Sequence, residues 1–131
     1  MRAQIIAACV LGLLLVAAGA AAGHSTGPDP VALDHQSRLT TALLLGFVHV
    51  MASMAAPALR MKGALALAAS WVFLAGVVLF SMVLLARLLT ADASGASPFD
   101  ALVMTVPAGG LAFLAGWALL GLSALMRKQE V

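Results

Sequence analysis

His49 is an ionisable side chain set deep in a long apolar stretch of this 131-residue chain. An imidazole in such surroundings has four chemical uses: metal ligand, hydrogen-bond partner of a bound molecule, proton relay, or polar link between helices. Gly46, Ser53 and Ala56 lie three and four residues apart along the same stretch, so on a helix they share its face with His49. The other histidines are poorly placed to help. His24 falls near the end of the preceding apolar stretch, and His35 falls in a polar segment between the two. A bis-histidine haem needs both ligand nitrogens about 4 Å apart across the iron. At ~1.5 Å rise per residue, His49 lies roughly 15 Å below the outer end of its span, whereas His24 lies near that outer surface. Three scattered histidines and the single Cys9 give no zinc shell either. Met82 and Met104 read as apolar filler, so neither haem nor any metal is expected.

Catalysis has no residues to run on. The apolar stretches contain no Asp or Glu, which removes the embedded carboxylate on which small proton-coupled exporters depend. There is no nucleophile–base pair and no phosphate loop, and Ser53, Ser70 and Ser81 are isolated hydroxyls expected to bond helix carbonyls. The chain reads as a non-catalytic protein.

The elements that must carry these residues follow from composition. Hydrophobic residues make up 63% and charged residues 9%, against about 45–50% and 25% in a soluble domain. Too few charges remain to solvate a cytosolic enzyme or to grip nucleic acid. Four charge-free stretches, 3–22, 39–59, 63–86 and 101–126, each reach roughly the 30 Å of a bilayer core. Backbone polar groups in lipid must be satisfied within the segment, so each is a helix. The fold class is all-α: an integral membrane four-helix bundle, one transmembrane domain over 1–131. Met1-Arg2 and Ala20-Ala21-Ala22 also resemble a signal peptide with its processing site, but the apolar run between them is long enough to span. Cys9 is expected to be a small buried hydrophobe.

Basic residues orient the chain. Arg2, Arg60, Lys62, Arg127 and Lys128 fall on one side, and only Arg38 and Arg87 on the other. The bias places both termini in the cytoplasm. The link 60–62 is so short that spans two and three must be antiparallel neighbours, giving two hairpins of like topology. The outer loops are expected over 23–38 and 87–100. Ser97-Pro98-Phe99-Asp100 has the pattern of a helix start, and Arg87 is expected to reach the interface or pair with Asp92 or Asp100. Pro57 and Pro107 each remove a backbone hydrogen bond within a span. Pro107 is followed by Gly109 and Gly110, so span four should be loosened there, with neighbouring helices making up the lost bonds. Small residues should face inward: Gly19 and Gly23 on span one, the Gly46–His49–Ser53–Ala56 face on span two, and Ala108, Ala112 and Gly116 on span four, with Phe113 and Trp117 beside them.

The run Pro107-Ala108-Gly109-Gly110-Leu111-Ala112-Phe113-Leu114-Ala115-Gly116-Trp117 resembles the signature of the small-membrane-protein family called domain of unknown function 423, the transmembrane protein 256-like family. Gly19-Ala20-Ala21-Ala22-Gly23-His24 is similar to its Gly-Ala-x-Gly-Ala-His motif, His49 to its second-span histidine, and Phe80-Ser81 to the start of its Phe-Ser-Gly motif. The family's Tyr-Gln pair reads Leu45-Gly46 here, its glycine after Phe-Ser is Met82, a nearby tyrosine is Leu85, and its Thr-Pro pair reads Val106-Pro107. The resemblance implies a four-helix membrane protein of this length with a bacterial inner-membrane or mitochondrial address, and implies no reaction.

The reading expected from all this is a small accessory or assembly subunit of the bacterial inner membrane, contacting lipids and a larger membrane complex, respiratory in the concrete form. The alternative is a binder or carrier of a lipid, quinone or other apolar molecule. Its site would lie between spans two and four, near His49 and the Pro107–Gly110 segment, with His24, Gly46, Ser53 and Trp117 as further candidate contacts.

Overall fold

A computed structural model describes residues 2–22, 30–59, 61, 63–92 and 94–126. Every regular element among them is helical. Span one is α1 (Arg2–Ala22) and span two is α2 (Pro30–Ala58). Span three runs without a break through α3 (Ala64–Gly76), a π-helical segment (Val77–Met82) and α4 (Val83–Thr90). Span four is a 3-10 segment (Asp100–Thr105) leading into α5 (Val106–Leu125). All four are long and apolar enough to cross a bilayer, as the charge-free stretches require. This is a multi-pass membrane protein.

The expected loops are too long. Much of 23–38 is helix, because α2 starts at Pro30, whose fixed φ suits a first helical position. His35 and Arg38 therefore sit, exposed, on α2. Similarly, α4 continues past Arg87 to Thr90. Between α3 and α2, Gly63 takes φ 119°, which reverses the chain into α3.

The second loop is built from its own side chains. Asp92 Oδ1 accepts bonds from the Ser94 N–H (2.8 Å), the Ser94 hydroxyl (2.6 Å) and the Ala96 N–H (3.1 Å). Gly95, at φ 81°, turns the chain so that its N–H reaches the Asp92 carbonyl. Ser97 and Asp100 then cap each other's turn, as the sequence pattern predicts. The Phe99 N–H donates to Ser97 Oγ at 3.1 Å, and the Ser97 N–H donates to Asp100 Oδ2 at 3.0 Å.

Span three is the hub. α3 packs most extensively on α5, then on α2, while α1 lies chiefly against α2. The core runs through Ala8 and Leu15 of α1, Ala42 and Val50 of α2, Phe73 and Val77 of span three, and Phe113 of α5. Large apolar side chains such as Leu13, Met51, Leu111 and Leu114 point outward, as helices in contact with lipid require. Cys9 is exposed, not buried, because it lies on the outward side of α1 while Ala8 takes the inward position.

The small-residue reading holds for span two and needs correction for span four. Gly46, His49, Ser53 and Ala56 are all buried. On α5 the inward face is instead Gly109, Phe113 and Gly116; Ala108 is exposed and Ala112 half-buried. A methyl added at Gly109 would meet the Phe80 backbone nitrogen at 2.6 Å, and one at Gly116 would meet the Phe73 ring at 2.6 Å. Gly19 approaches Leu43, with added-methyl contact at 3.4 Å; Gly23 lies outside the described residues.

Candidate functional site

His49 occupies a closed aromatic cage, 6% exposed. Its helix-borne ring stacks on Phe113 with centroids 3.7 Å apart and planes 12° from parallel. Phe73 meets it tilted at 5.6 Å, and Trp117 meets it edge-on at 6.2 Å. Both ring nitrogens have partners. The indole N–H of Trp117 donates to His49 Nε2 at 3.2 Å. An indole nitrogen can only donate, so Nε2 carries the lone pair and Nδ1 carries the proton. That proton goes to the Leu45 carbonyl one turn back, 2.7 Å away. The arrangement defines a neutral imidazole linking α2 to α5. For Nε2 to ligate a metal or receive a proton, Trp117 would have to withdraw.

Of the other candidates, Ser53 shares the buried face of α2, and its hydroxyl donates to the Val50 carbonyl at 2.6 Å. Gly46 lies against Leu15 and Ser81, where an added methyl would come 2.7 Å from the Leu15 side chain and 3.0 Å from Ser81 Oγ. His24 lies outside the described residues. Trp117 and His49 are brought together, but Pro107 and Gly110 do not join them: Pro107 is exposed, and Gly110 has open space around its Cα. Gly109 and Gly110 are ordinary α-helix. The loosening expected at Pro107 lies before it, in the 3-10 segment. There the Val106 N–H takes the Val103 carbonyl, which Pro107 has no N–H to engage.

Pro57 likewise lacks the N–H that would engage the carbonyl four residues back, that of Ser53. Gln4 of α1, 2% exposed, fills the gap: its Nε2 donates to the Ser53 carbonyl at 2.8 Å. Neighbouring helices are expected to make up such bonds, and here Gln4, near the start of span one, does so. Only its separation from Pro57 by a whole helical hairpin, invisible without the fold, gives it meaning.

Ser81 is the unsatisfied residue. It is fully buried in the π-helical segment, and its hydroxyl has no partner among the described residues. The same segment is where α5 comes nearest, Gly109 against the Phe80 and Leu79 backbone. A π turn carries an extra residue, so side chains above and below it change register. No residue type marks it in the sequence. Among the described residues, no group of three or more His, Cys, Asp or Glu is placed to hold a metal ion.

The profile of a family described as protein of unknown function (DUF423) matches residues 18–110. The chain belongs to this family. The DUF423 match takes in Gly46, His49, Ser53, Phe80-Ser81 and Gly109-Gly110, and ends before Phe113 and Trp117. It therefore contains His49, Phe73 and the close-packed Gly46 and Gly109, while Phe113, Gly116 and Trp117 follow just beyond it. No curated protein and no solved structure matches the chain.

Proposed function

We propose that this chain is a non-catalytic protein of the bacterial inner membrane, with both termini cytoplasmic. It acts by lateral contact, as an accessory or assembly subunit of a larger, energy-transducing membrane complex. The observation that carries this reading is a groove of about 640 Å³ on the lipid-facing side, between α1 and α3. Ala3, Ala7 and Ala75 keep it shallow and smooth, and Ile6, Val10, Trp71 and Val78 wall it. Small residues let a neighbouring backbone approach, which is what favours helix association in lipid. Trp71 adds a large side chain, 45% exposed, of the type enriched where partners meet. Two of the buried polar side chains, by contrast, are taken up with bonds between helices: His49 with Trp117, and Gln4 with Ser53.

Gentle native purification of the chromosomally tagged chain, with mass spectrometry of what co-migrates, tests the reading. The expected result is a stoichiometric partner that is lost in Trp71→Ala. A chain that runs alone under conditions that preserve known complexes overturns it.

The same groove favours a second reading, capture of a lipid or quinone. Its volume lies in the range of small-molecule sites, about 300–1,000 Å³. The earlier location, at His49 and Pro107–Gly110, is less favourable, because Phe113 covers one face of the imidazole. Solvent extraction of the same sample separates the readings: a bound apolar molecule that Trp71→Ala releases, with no protein partner, selects the second.

A further inference from the structure

Seven basic residues are distributed along the chain, and the two that break the orientation bias, Arg38 and Arg87, converge on one cavity. It measures about 250 Å³ and is lined by Arg38, Leu84, Arg87, Leu88, Asp100 and Val103. We infer that this cavity binds the phosphate of an anionic phospholipid, with the adjoining acyl chain lying against Leu84 and Val103.

The placement is that of a lipid headgroup site. Arg38 sits near the start of span two, Arg87 near the end of span three, and Asp100 at the start of span four, all at the same end of the bundle. Leu84 lies one turn deeper than Arg87, and Val103 one turn deeper than Asp100. Charge therefore rims the cavity at the level where lipid phosphates lie, and apolar wall continues below it, matching the polarity of a phospholipid from head to tail.

The Arg87 guanidinium has donors for an anion. Arg87 Nε donates to Asp100 Oδ1 at 2.8 Å, and its terminal nitrogens make no further bond among the described residues. Asp100 Oδ2 is taken by the Ser97 N–H. The carboxylate thus fixes the orientation of Arg87 while using one of the five N–H groups a guanidinium offers. Arg38 has a partner of its own and lines the same cavity, adding its positive charge to that of Arg87. Planar guanidinium groups suit phosphate oxygens better than lysine would.

The test uses the full chain, delipidated in detergent and titrated with phosphatidylglycerol, phosphatidylcholine or inorganic phosphate, with retained lipid counted by native mass spectrometry. Phosphatidylglycerol should be retained in preference to phosphatidylcholine, and Arg38→Gln and Arg87→Gln should each weaken it about fivefold. Val103→Trp, which fills the cavity and keeps both arginines, should also abolish retention. It carries the test if Arg87→Gln fails to fold. Equal retention of the two lipids, or undiminished retention in Arg38→Gln and Val103→Trp, overturns the inference. Displacement of phosphatidylglycerol by millimolar inorganic phosphate assigns the site to a free anion and overturns it equally.

Discussion

His49 has the position of a functional histidine and the bonding of a structural one. Its Nδ1–H tautomer is set by Trp117, a donor that leaves Nε2 only the accepting role. Ring ¹⁵N shifts in micelles should report that neutral tautomer. Trp117→Phe keeps the aromatic wall but removes the donor, and should lower thermal stability by about 1 kcal/mol, as interhelical hydrogen bonds in membranes do. An unchanged midpoint with an unchanged tautomer would show that the indole bond does not hold the ring. The Gln4–Ser53 bond allows a cleaner experiment, because a proline creates the need for it. Gln4→Leu should cost about 1–2 kcal/mol in the native background. In Pro57→Ala the restored N–H serves the Ser53 carbonyl, and the same substitution should cost much less. Unfolding midpoints of the four proteins in this cycle read the coupling directly. Sequence made the buried face around His49 legible, since Gly46, Ser53 and Ala56 repeat at helical spacing. It could not reveal the Trp117 bond, which depends on how α5 is rotated beside α2.

At the scale of elements, the close approach of span four to span three separates three glycines that look alike in sequence. Gly109→Ala drives its methyl to 2.6 Å from a backbone nitrogen, which no rotamer change can relieve; it should destabilise by about 1–3 kcal/mol. Gly116→Ala meets a phenyl ring at 2.6 Å, which can turn in part, and should cost less. Gly110→Ala enters open space and should be neutral or mildly stabilising through helix propensity. Any other ranking of the three thermal midpoints would contradict the packing described. The loop after α4 makes a pH prediction. Asp92 is held below its ordinary value of 3.8, first by the Ser94 hydroxyl and then by the N–H groups of Ala96 and Ser94. A carboxyl lowered on folding supports the loop above its unfolded value, and that support is lost as pH falls through the folded one. Amide protection within residues 91–96 should therefore drop at acid pH while α3 and α5 stay protected. Asp92→Asn should reduce that pH dependence, leaving the part carried by Asp100, which the Ser97 N–H holds low in the same way. Capping by Ser97 and Asp100 was legible from residue types alone. The π-helical segment was not, because extra residues in a helix leave no compositional trace.

For the molecule as a whole, clustering of charge gave the number of spans, since bilayer thickness fixes how much apolar chain must separate charged ends. It misjudged the loops because Pro, Asp and Ser can start a helix as readily as they can interrupt one, and α2 begins among them. Four spans place the two termini on one side, so a reporter that fluoresces only in the cytoplasm should give the same readout at either end; opposite readouts would remove one span. The main packing partners follow the order of synthesis: α1 with α2, α2 with span three, span three with α5. Each span after the first, on entering the bilayer, finds a span it packs against already there, while the largest contact, of span three with α5, forms last. Assembly can then advance with the ribosome, without a long-lived unpaired helix. The Ser53 carbonyl gains its donor from a helix made earlier, whereas the imidazole of His49 must wait for Trp117, on the last of the four spans. Closure of the aromatic cage is therefore the event that reports all four spans in place.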